Sequence, residues 1–254
     1  MKFDFVDQVV LVTGGSRGIG KDVSQMFADA GAKVVVNYRS NRQAAEMTRT
    51  ALSGDGHMII QADMGNAAQL EEMVSGIVDR YGRIDVLVNN AGIYIEHAIQ
   101  SSTFEKWQAD WQAILNVNLI GAANLIYLVS KPMRAQGGGR IVNVSSRGAF
   151  RGEPFAPAYG ASKAGMNGMG QSLAQALAPD NIFIHTVAPG FVETDMAKEV
   201  LSGPRGDEIR SQSPLGRVAK PEEVAQAVLY CAAKGTEFMT GSILDVNGAS
   251  YLRQ

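Results

Sequence analysis

The sequence predicts an α/β fold in which one mainly parallel, doubly wound sheet of seven strands carries helices on both faces. Two observations predict this architecture. Short apolar runs alternate with longer helical patterns along the chain, and strands buried on both faces read as continuous apolar runs. The joins between them are short, so each strand reaches the next through a helix, and such crossovers connect parallel strands.

The elements follow from these patterns in chain order. The predicted strands cover residues 8–12, 33–37, 57–61, 84–88, 140–144, 182–187 and 243–246. The predicted helices cover residues 18–30, 41–53, 66–81, 103–135, 158–178 and 221–233. No linker or repeat divides the chain, so residues 1–254 are predicted to form a single domain. The stretch 191–220 contains glycines and prolines with little periodicity, which predicts a mobile substrate lid.

Composition argues against several classes of function. A net charge of −2 gives no electrostatic basis for binding nucleic acid or an anionic membrane. No apolar run approaches the ~18 residues of a membrane span, and the first strand starts too early to follow a signal peptide. Cys231 is the only cysteine, so a reducing compartment is expected and the predicted location is the cytoplasm. His57, His97 and His185 lack metal-ligand spacing, and no metal site is predicted.

A glycine-rich turn follows the first predicted strand. The run from Gly14 to Gly20 reads Gly-Gly-Ser-Arg-Gly-Ile-Gly and leads into a helical pattern. This arrangement directs helix N–H groups at a phosphate, as in Rossmann-type dinucleotide-binding folds. The spacing Gly-x-x-x-Gly-x-Gly differs from the commoner Gly-x-Gly-x-x-Gly. A glycine-rich turn without a ligand is the alternative for this segment.

A second group of residues has the composition of an acid–base site. Ser145 and Ser146 end the strand-like run 140–144, and Tyr159 and Lys163 follow four residues apart on a predicted helix. Because this spacing places both on one helix face, the Lys163 ammonium is expected to lower the Tyr159 pKa and prepare the phenol for proton transfer near neutral pH. Ser146 is preferred over Ser145, whose side chain should point to the opposite face of the strand.

Another Tyr–Lys pair has the same spacing. Tyr127 and Lys131 lie in an apolar stretch that runs into Pro132, and no serine ends a strand shortly before them. Tyr127 is therefore predicted to be a packed helix residue, and Tyr159 is the catalytic candidate.

The second predicted strand indicates the choice of cofactor. NAD-binding folds usually place an acidic residue at its end, where it binds the ribose 2′-hydroxyl. Here Tyr38 occupies that position, Arg39 and Ser40 follow, and Arg17 lies nearby in the glycine turn. Two guanidinium groups suit a 2′-phosphate, which a carboxylate would repel, so NADP(H) is the predicted cofactor. Surface arginines without a ligand are the alternative interpretation.

Together these segments resemble the short-chain dehydrogenase/reductase family over nearly the whole chain. Residues 13–20 are similar to its cofactor loop, 89–92 to the motif after its fourth strand, and 189–194 to the loop that holds the nicotinamide. The resemblance implies four catalytic residues, which are Asn118, Ser146, Tyr159 and Lys163. It implies cofactor contacts by Gly14, Ser16, Arg17, Gly18, Ile19, Gly20, Tyr38, Arg39, Ser40, Asp63, Met64, Asn90, Ala91, Gly92, Tyr159, Lys163, Pro189, Gly190, Val192 and Thr194. Asp63 would contact the adenine edge, although an ordinary helix N-cap would look the same.

The function that this resemblance implies is reversible hydride transfer between NADPH and a carbonyl group. Tyr159 would donate a proton to the carbonyl oxygen, Ser146 would hydrogen-bond that oxygen, and Lys163 would also bind the nicotinamide ribose. Asn118 would hold a water that links Lys163 to solvent. A non-catalytic dinucleotide-binding regulator is one alternative, but all four catalytic positions are filled. A nucleotide-sugar epimerase is another, but the C-terminal substrate domain of those enzymes is not present.

The motifs look most like those of 3-oxoacyl-[acyl-carrier-protein] reductases, which implies a 3-oxoacyl thioester substrate and an acyl-carrier protein as partner. Those enzymes carry basic residues where this chain has Asp180; the segment 93–97 also differs, and several residues are inserted around Trp107. Trp107 and Trp111 could line a pocket, but helix packing is their predicted role. A different small alcohol or ketone, such as a sugar, a cyclic ketone or a steroid-like compound, is the alternative substrate.

A homotetramer is predicted from the helix 158–177, because in the family that the chain resembles the equivalent helix meets its mate across a two-fold axis. Small residues that would permit such close packing are Ala161, Ala164, Gly165, Gly168, Gly170 and Ala174.

Overall fold

The computed structural model describes residues 3–253; residues 1, 2 and 254 of the predicted domain lie outside this range. The strands are β1 (Val9–Val12), β2 (Lys33–Tyr38), β3 (Met58–Gln61), β4 (Val86–Asn89), β5 (Gly139–Val144), β6 (Ile182–Pro189) and β7 (Ile243–Val246). Within the described range they form one parallel sheet of seven strands in the order β3-β2-β1-β4-β5-β6-β7. The predicted fold class is confirmed.

Helices lie between the strands, as the alternation predicts. The α-helices are α1 (Gly18–Asp29), α2 (Arg42–Ala51), α3 (Ala67–Tyr81), α4 (Phe104–Leu115), α5 (Gly121–Ala135), α6 (Gly148–Arg151), α7 (Pro157–Leu177), α8 (Asp195–Ser202), α9 (Gly206–Ser211) and α10 (Pro221–Ala232). The helix predicted for 103–135 is continuous, but the π-helical turn Asn116–Ile120 separates α4 from α5. The segment 191–220, predicted without periodicity, contains the two short helices α8 and α9.

Each face of the sheet is covered by its own apolar core. Along β1, Val10 and Val12 belong to the core that α1 and α10 cover, whereas Val9 and Leu11 belong to the core that α3, α5 and α7 cover. The pleat produces this alternation, since successive side chains of a strand point to opposite faces. All four residues are buried because helices cover both sides of the sheet.

The order of the strands reverses next to β1. The chain runs outward from β1 through β2 to β3 and then returns to the other side of β1 with β4. Ligands of doubly wound sheets bind beyond the carboxyl ends of the strands at such a switch point. The glycine turn follows β1 and Asn90 follows β4, so the predicted cofactor residues lie at this position.

The Thr13 side chain joins these two strand ends. Its hydroxyl donates to the Val88 carbonyl at 3.2 Å and accepts hydrogen bonds from the N–H groups of Asn90 and Ala91, each at 3.0 Å. The Asn90 side chain donates to the Thr13 carbonyl at 2.9 Å. One buried threonine therefore sets the distance between the two loops.

The stretch Phe104–Ala135 is 32 residues long and contains a window of mean hydropathy 1.6, enough by length and composition to cross a membrane. Core helices of globular proteins meet the same criteria, and α5 packs on the sheet through Leu125 and Ile126. Tyr127 lies outside this buried face and is 64% exposed, so the prediction that it is packed was wrong. Lys131 stacks over its ring with 5.1 Å between Nζ and the centroid.

The small residues of α7 are divided between two faces of the helix. Gly170 and Ala174 are buried in the fold, where they let α7 approach the sheet closely. The exposed members of the set are Ala161, Ala164 and Gly168. These three, and the partly exposed Gly165, are therefore available to pack against another chain.

Candidate active site

The glycine turn after β1 has no room for a side chain at its glycine positions. Gly14 and Gly18 have φ angles of +61° and +51°, in the left-handed region that glycine adopts without strain. A Cβ on Gly20 would overlap with the Gly14 carbonyl and with the side-chain nitrogen of Asn90. The turn ends where α1 begins, at Gly18, so backbone N–H groups are available to a pyrophosphate that approaches the turn.

Asn37 supports the glycine turn from β2, although it was not among the predicted site residues. Its side-chain oxygen accepts a hydrogen bond from the Gly14 N–H at 3.2 Å, and its backbone oxygen accepts one from the Gly15 N–H at 3.0 Å. Its amide nitrogen donates to the Ala62 carbonyl at 3.1 Å. The signal in the sequence is an asparagine within an apolar strand, because a buried polar group requires partners.

The end of β2 presents the residues from which the cofactor choice was predicted. Tyr38 is almost fully buried in the core on the α1 side, whereas Arg39 and Ser40 are exposed, as is Arg17 in the glycine turn. The Gln61 side chain donates to the Arg39 carbonyl at 2.8 Å and fixes this backbone. The side chains available to a nucleotide here are therefore basic or neutral.

Asp63 follows β3, and its role as a helix N-cap is excluded. Its carboxylate accepts from the Gly65 N–H at 2.8 Å, while the cap of α3 is Asn66, whose side chain accepts from the Gln69 N–H at 3.2 Å. Contact of Asp63 with an adenine stays a prediction. Its neighbour Met64 is buried. The Met64 carbonyl packs directly against Gly121, the first residue of α5, where a Cβ would overlap it.

The Ser146 hydroxyl and the Tyr159 phenol lie together beyond the end of β5. The Ser146 hydroxyl lies close enough to the phenol to lower the Tyr159 pKa, and the Ser146 oxygen accepts a hydrogen bond from the Gly148 N–H at 3.0 Å. Ser145 is buried, and its hydroxyl donates to the Lys163 carbonyl at 3.3 Å. The structure therefore brings Ser146, and not Ser145, to Tyr159.

Burial dominates the electrostatics of Tyr159 and Lys163. The Lys163 ammonium donates to the Val144 carbonyl at 2.8 Å and lies 5.9 Å from the centroid of the Tyr159 ring. Desolvation raises the pKa of Tyr159 to about 12, against the lowering effect of the Ser146 hydrogen bond, and lowers the pKa of Lys163 to about 8. Burial is the largest influence on the phenol, so the Tyr159 pKa lies above its ordinary value and not below it, where the Lys163 ammonium alone was predicted to place it.

Asn118 is fully buried in the π-helical turn. Its side-chain oxygen accepts from the Ile93 N–H at 2.8 Å, and its amide nitrogen donates to the Ile93 carbonyl at 3.0 Å and to the Ser162 hydroxyl at 3.2 Å. A Cβ on Gly92 would lie 3.4 Å from the Asn118 oxygen and 3.5 Å from Lys163 Nζ. Asn118 and Lys163 thus flank Gly92, and any side chain there would fill the space between them.

The loop that begins with Pro189, at the end of β6, reaches the glycine turn. The Gly190 N–H donates to the Val246 carbonyl at 3.0 Å, which holds the loop to β7. Val192 is buried, and a Cβ on Gly18 would lie 3.2 Å from the Thr194 methyl carbon. The predicted nicotinamide loop and the predicted phosphate turn are therefore in contact.

Two further side chains stand beside Tyr159. The Tyr94 ring meets the Tyr159 ring edge-on with centroids 5.3 Å apart, and burial raises the pKa of Tyr94 to about 12. Glu153 is half-buried, and desolvation raises the pKa of its carboxyl group. Both lie in loops without periodic patterning, so neither could be predicted from the sequence.

Comparison with known proteins identifies the family. The family model described as Enoyl-(Acyl carrier protein) reductase matches residues 14–249. The chain is 40% identical over 245 residues to the 3-oxoacyl-[acyl-carrier-protein] reductase of Thermotoga maritima, covering 95% of this chain and 96% of that one. It is 37% identical over 248 residues to the reductase of the same name from a Synechocystis species, covering 96% and 97%. A solved structure from Brucella melitensis, titled a short-chain dehydrogenase/reductase and glucose/ribitol dehydrogenase, has a TM-score of 0.91 and 31% identity, with full coverage of both chains.

The chain therefore belongs to the short-chain dehydrogenase/reductase family. It is an oxidoreductase that acts on a CH–OH or carbonyl group with a nicotinamide dinucleotide. The names of these relatives give different substrates, so membership in the family leaves the substrate open.

The buried Lys163 makes the stability of the protein depend on pH. Its pKa is about 8 in the folded chain against an ordinary 10.5, so between these values the unfolded chain binds more protons and stability rises with pH. We expect the wild type to gain stability relative to Lys163→Met from about pH 8 to about pH 10. Denaturant unfolding of both proteins across this range measures the difference. A difference that does not change with pH would show that Lys163 has an ordinary pKa.

Proposed function

We propose that this protein reduces a carbonyl group to an alcohol, reversibly, with NADPH as the hydride donor. The observation that carries the proposal is the pairing of the Ser146 hydroxyl with the Tyr159 phenol at the carboxyl end of β5. Two hydroxyl groups at one place suit one carbonyl oxygen, because one can donate a proton while the other donates a hydrogen bond. Lys163 and Asn118 adjoin the pair, as a proton-transfer site requires and a non-catalytic regulator does not.

The backbone of the site fits a dinucleotide. The close packing of the glycine turn leaves the N-terminus of α1 open to a pyrophosphate. Gly92 keeps the space between Asn118 and Lys163 clear for a ribose, which Tyr159 and Lys163 would hold. The exposed Arg17 would bind a 2′-phosphate together with the residues after β2.

The mechanism follows from the protonation states. When bound, the nicotinamide ring supplies the hydride. Tyr159, whose raised pKa keeps the phenol protonated at neutral pH, donates its proton to the carbonyl oxygen that Ser146 orients. Lys163, whose pKa is lowered to about 8, still carries its proton at neutral pH and would restore the Tyr159 proton.

For the substrate we propose a 3-oxoacyl thioester, which the names of the relatives from Thermotoga maritima and Synechocystis support. The basis for docking an acidic carrier protein is weaker. Arg134 forms an ion pair with Asp180, and Arg147 is buried, where its guanidinium donates to Gln212. A small polar alcohol or ketone is the second candidate, because the solved structure from Brucella melitensis is titled a glucose/ribitol dehydrogenase and the half-buried Glu153 carboxyl group lies near Tyr159.

Tyr159→Phe removes one hydroxyl group and little volume, so folding and cofactor binding should survive. Loss of general acid catalysis should lower kcat by ~10²–10⁴-fold. Tyr127→Phe, at the pair with the same spacing on the surface of α5, is the matched control and should leave kcat within about twofold. Steady-state NADPH oxidation measures both. Retention of more than about a tenth of kcat by Tyr159→Phe would remove Tyr159 from the mechanism.

Arg39→Ala should weaken NADPH binding and leave NADH binding nearly unchanged, because only NADPH carries the 2′-phosphate. A charge-assisted hydrogen bond contributes ~1.5–3 kcal/mol, so roughly 10–150-fold in NADPH affinity is expected. Fluorescence titration with each cofactor measures this effect. Equal losses for both cofactors would show that Arg39 is structural.

The exposed basic residues predict only a modest preference for a carrier protein. We expect less than about tenfold higher kcat/KM for carrier-protein thioesters than for small thioester mimics, measured at low and high salt. A preference above about a hundredfold that disappears with added salt would instead identify a dedicated carrier-protein enzyme. Turnover of sugars or cyclic ketones but not of thioesters would favour the second candidate.

We also propose a homotetramer, for which the exposed small residues of α7 support close packing between chains. Ala164→Arg should lower the mass of the assembly in solution, since a long charged side chain cannot fit between two closely packed helices. Light scattering at micromolar concentration measures the mass of both proteins. A monomeric wild type would refute the proposal.

A further inference from the structure

The loop after β4 connects two catalytic residues that are distant in sequence. We call residues 93–97 of this loop the strap. At its start, both backbone groups of Ile93 bond to the Asn118 side chain. One residue later, the Tyr94 ring contacts the Tyr159 ring. The strap therefore runs from the π-helical turn to the first turn of α7.

His97 ends the strap and bonds through two groups to the segment that starts α7 and through a third to the strap itself. Its backbone N–H donates to the Phe155 carbonyl at 2.8 Å. Its Nε2 accepts from the Ala158 N–H at 3.2 Å, and its Nδ1 lies 2.8 Å from the Ile95 carbonyl. Nε2 is unprotonated because it accepts, so Nδ1 carries the proton that is donated to Ile95.

The first turn of α7 needs this contact. The first N–H groups of any helix have no partner within the helix. Ala156 at the N-cap position offers no side chain to accept them, and Pro157 has no N–H. Ala158 therefore carries the first donor of the helix proper, and His97 supplies the acceptor that a capping side chain supplies elsewhere.

An aromatic cluster holds the imidazole in place. His97 is 1% exposed, and its ring lies edge-on to Trp107 and Trp111, with centroid distances of 5.4 Å and 6.5 Å. Both tryptophans belong to α4, which continues through the π-helical turn to Asn118. Trp107 and Trp111 thus pack against a residue that contacts the site. Both His97 and Trp107 lie in the segments in which the sequence departs from the 3-oxoacyl reductase pattern.

We infer that His97 is a positioning residue for Tyr159: by capping Ala158 and binding Phe155 it fixes the helix turn that carries the phenol. Tyr159 follows Ala158 directly, and its own N–H bonds to the Ala156 carbonyl at 3.0 Å. A shift of this turn would move the phenol away from Ser146. The inference rests on the proposed function, since it assumes that Tyr159 is the proton donor.

Two substitutions separate the contacts of the imidazole. In His97→Gln the longer amide can place an acceptor near the position of Nε2, whereas in His97→Asn the amide reaches only the position of Nδ1. We expect His97→Asn to lower kcat by about tenfold or more, because small displacements of a catalytic group are costly. His97→Gln should keep kcat within about threefold of the wild type, and both variants should bind NADPH within about twofold of the wild type.

His57 provides the matched control, because it makes the same kind of contacts away from the site. Its Nδ1 accepts from the Val34 N–H at 3.0 Å, and its Nε2 lies 2.9 Å from the Ser53 carbonyl. Because the accepting nitrogen here is Nδ1, His57→Gln is the variant that loses the backbone contact, and we expect it to lower the melting temperature without lowering kcat. A loss of kcat in His57→Gln similar to that in His97→Asn would show that lost stability, and not position, explains the effect.

The outcomes separate the inference from the proposed function. The positioning role is wrong, and the proposed function stands, if Tyr159→Phe abolishes turnover while His97→Asn keeps the kcat of the wild type. The same holds if kcat falls as far in His97→Gln as in His97→Asn. If Tyr159→Phe is fully active, the proposed function fails first. Weakened NADPH binding in parallel with kcat would indicate general disruption and would also overturn the positioning role.

Discussion

The burial of the Lys163 ammonium group is the constraint on which the rest of the site depends. A charge inside a protein is costly unless hydrogen bonds replace its hydration, and here the Val144 carbonyl at the end of β5 provides that bond. Lys163 therefore ties α7 to β5, the strand that Ser146 follows. Close approach of the helix is possible because Gly170 has no side chain; a Cβ there would lie 3.1 Å from the Asn143 amide nitrogen. The same burial raises the pKa of Tyr159 to about 12 and lowers the pKa of Lys163 to about 8.

Buried polar side chains then fix the loops around this pair. Thr13 joins the ends of β1 and β4, Asn37 joins the glycine turn to the loop after β3, and Asn118 joins the π-helical turn to the strap. Each of them bonds to backbone groups of a loop that has no regular hydrogen bonding of its own. Such satisfied buried groups determine one arrangement of the loops. Two of these three side chains, Thr13 and Asn37, have no direct part in the proposed chemistry and still position the site.

The sequence predicted the sheet, the strand ends at which the loops meet, and the choice of Ser146 over Ser145, because apolar runs and side-chain alternation are local properties. It did not predict the protonation of Tyr159, since helical spacing reports the distance to Lys163 but not the loss of water around both groups. The capping contact of His97 could not be predicted from the sequence either, because Ala158 is far along the chain and no local pattern links the two residues. The helices α8 and α9 were missed because each is shorter than the window over which periodicity can be read.

The most direct test of the central claim follows the hydride. The protein would be given a 3-oxoacyl thioester, and in parallel diketones, cyclic ketones, sugars and steroids, with NADPH deuterated at C4 on each face in turn. We predict that one labelled form delivers deuterium to the carbinol carbon of the product, as read by mass spectrometry, and that Tyr159→Phe delivers almost none. Oxidation of NADPH without a deuterated alcohol, or no turnover of any carbonyl compound in the panel, would contradict the account.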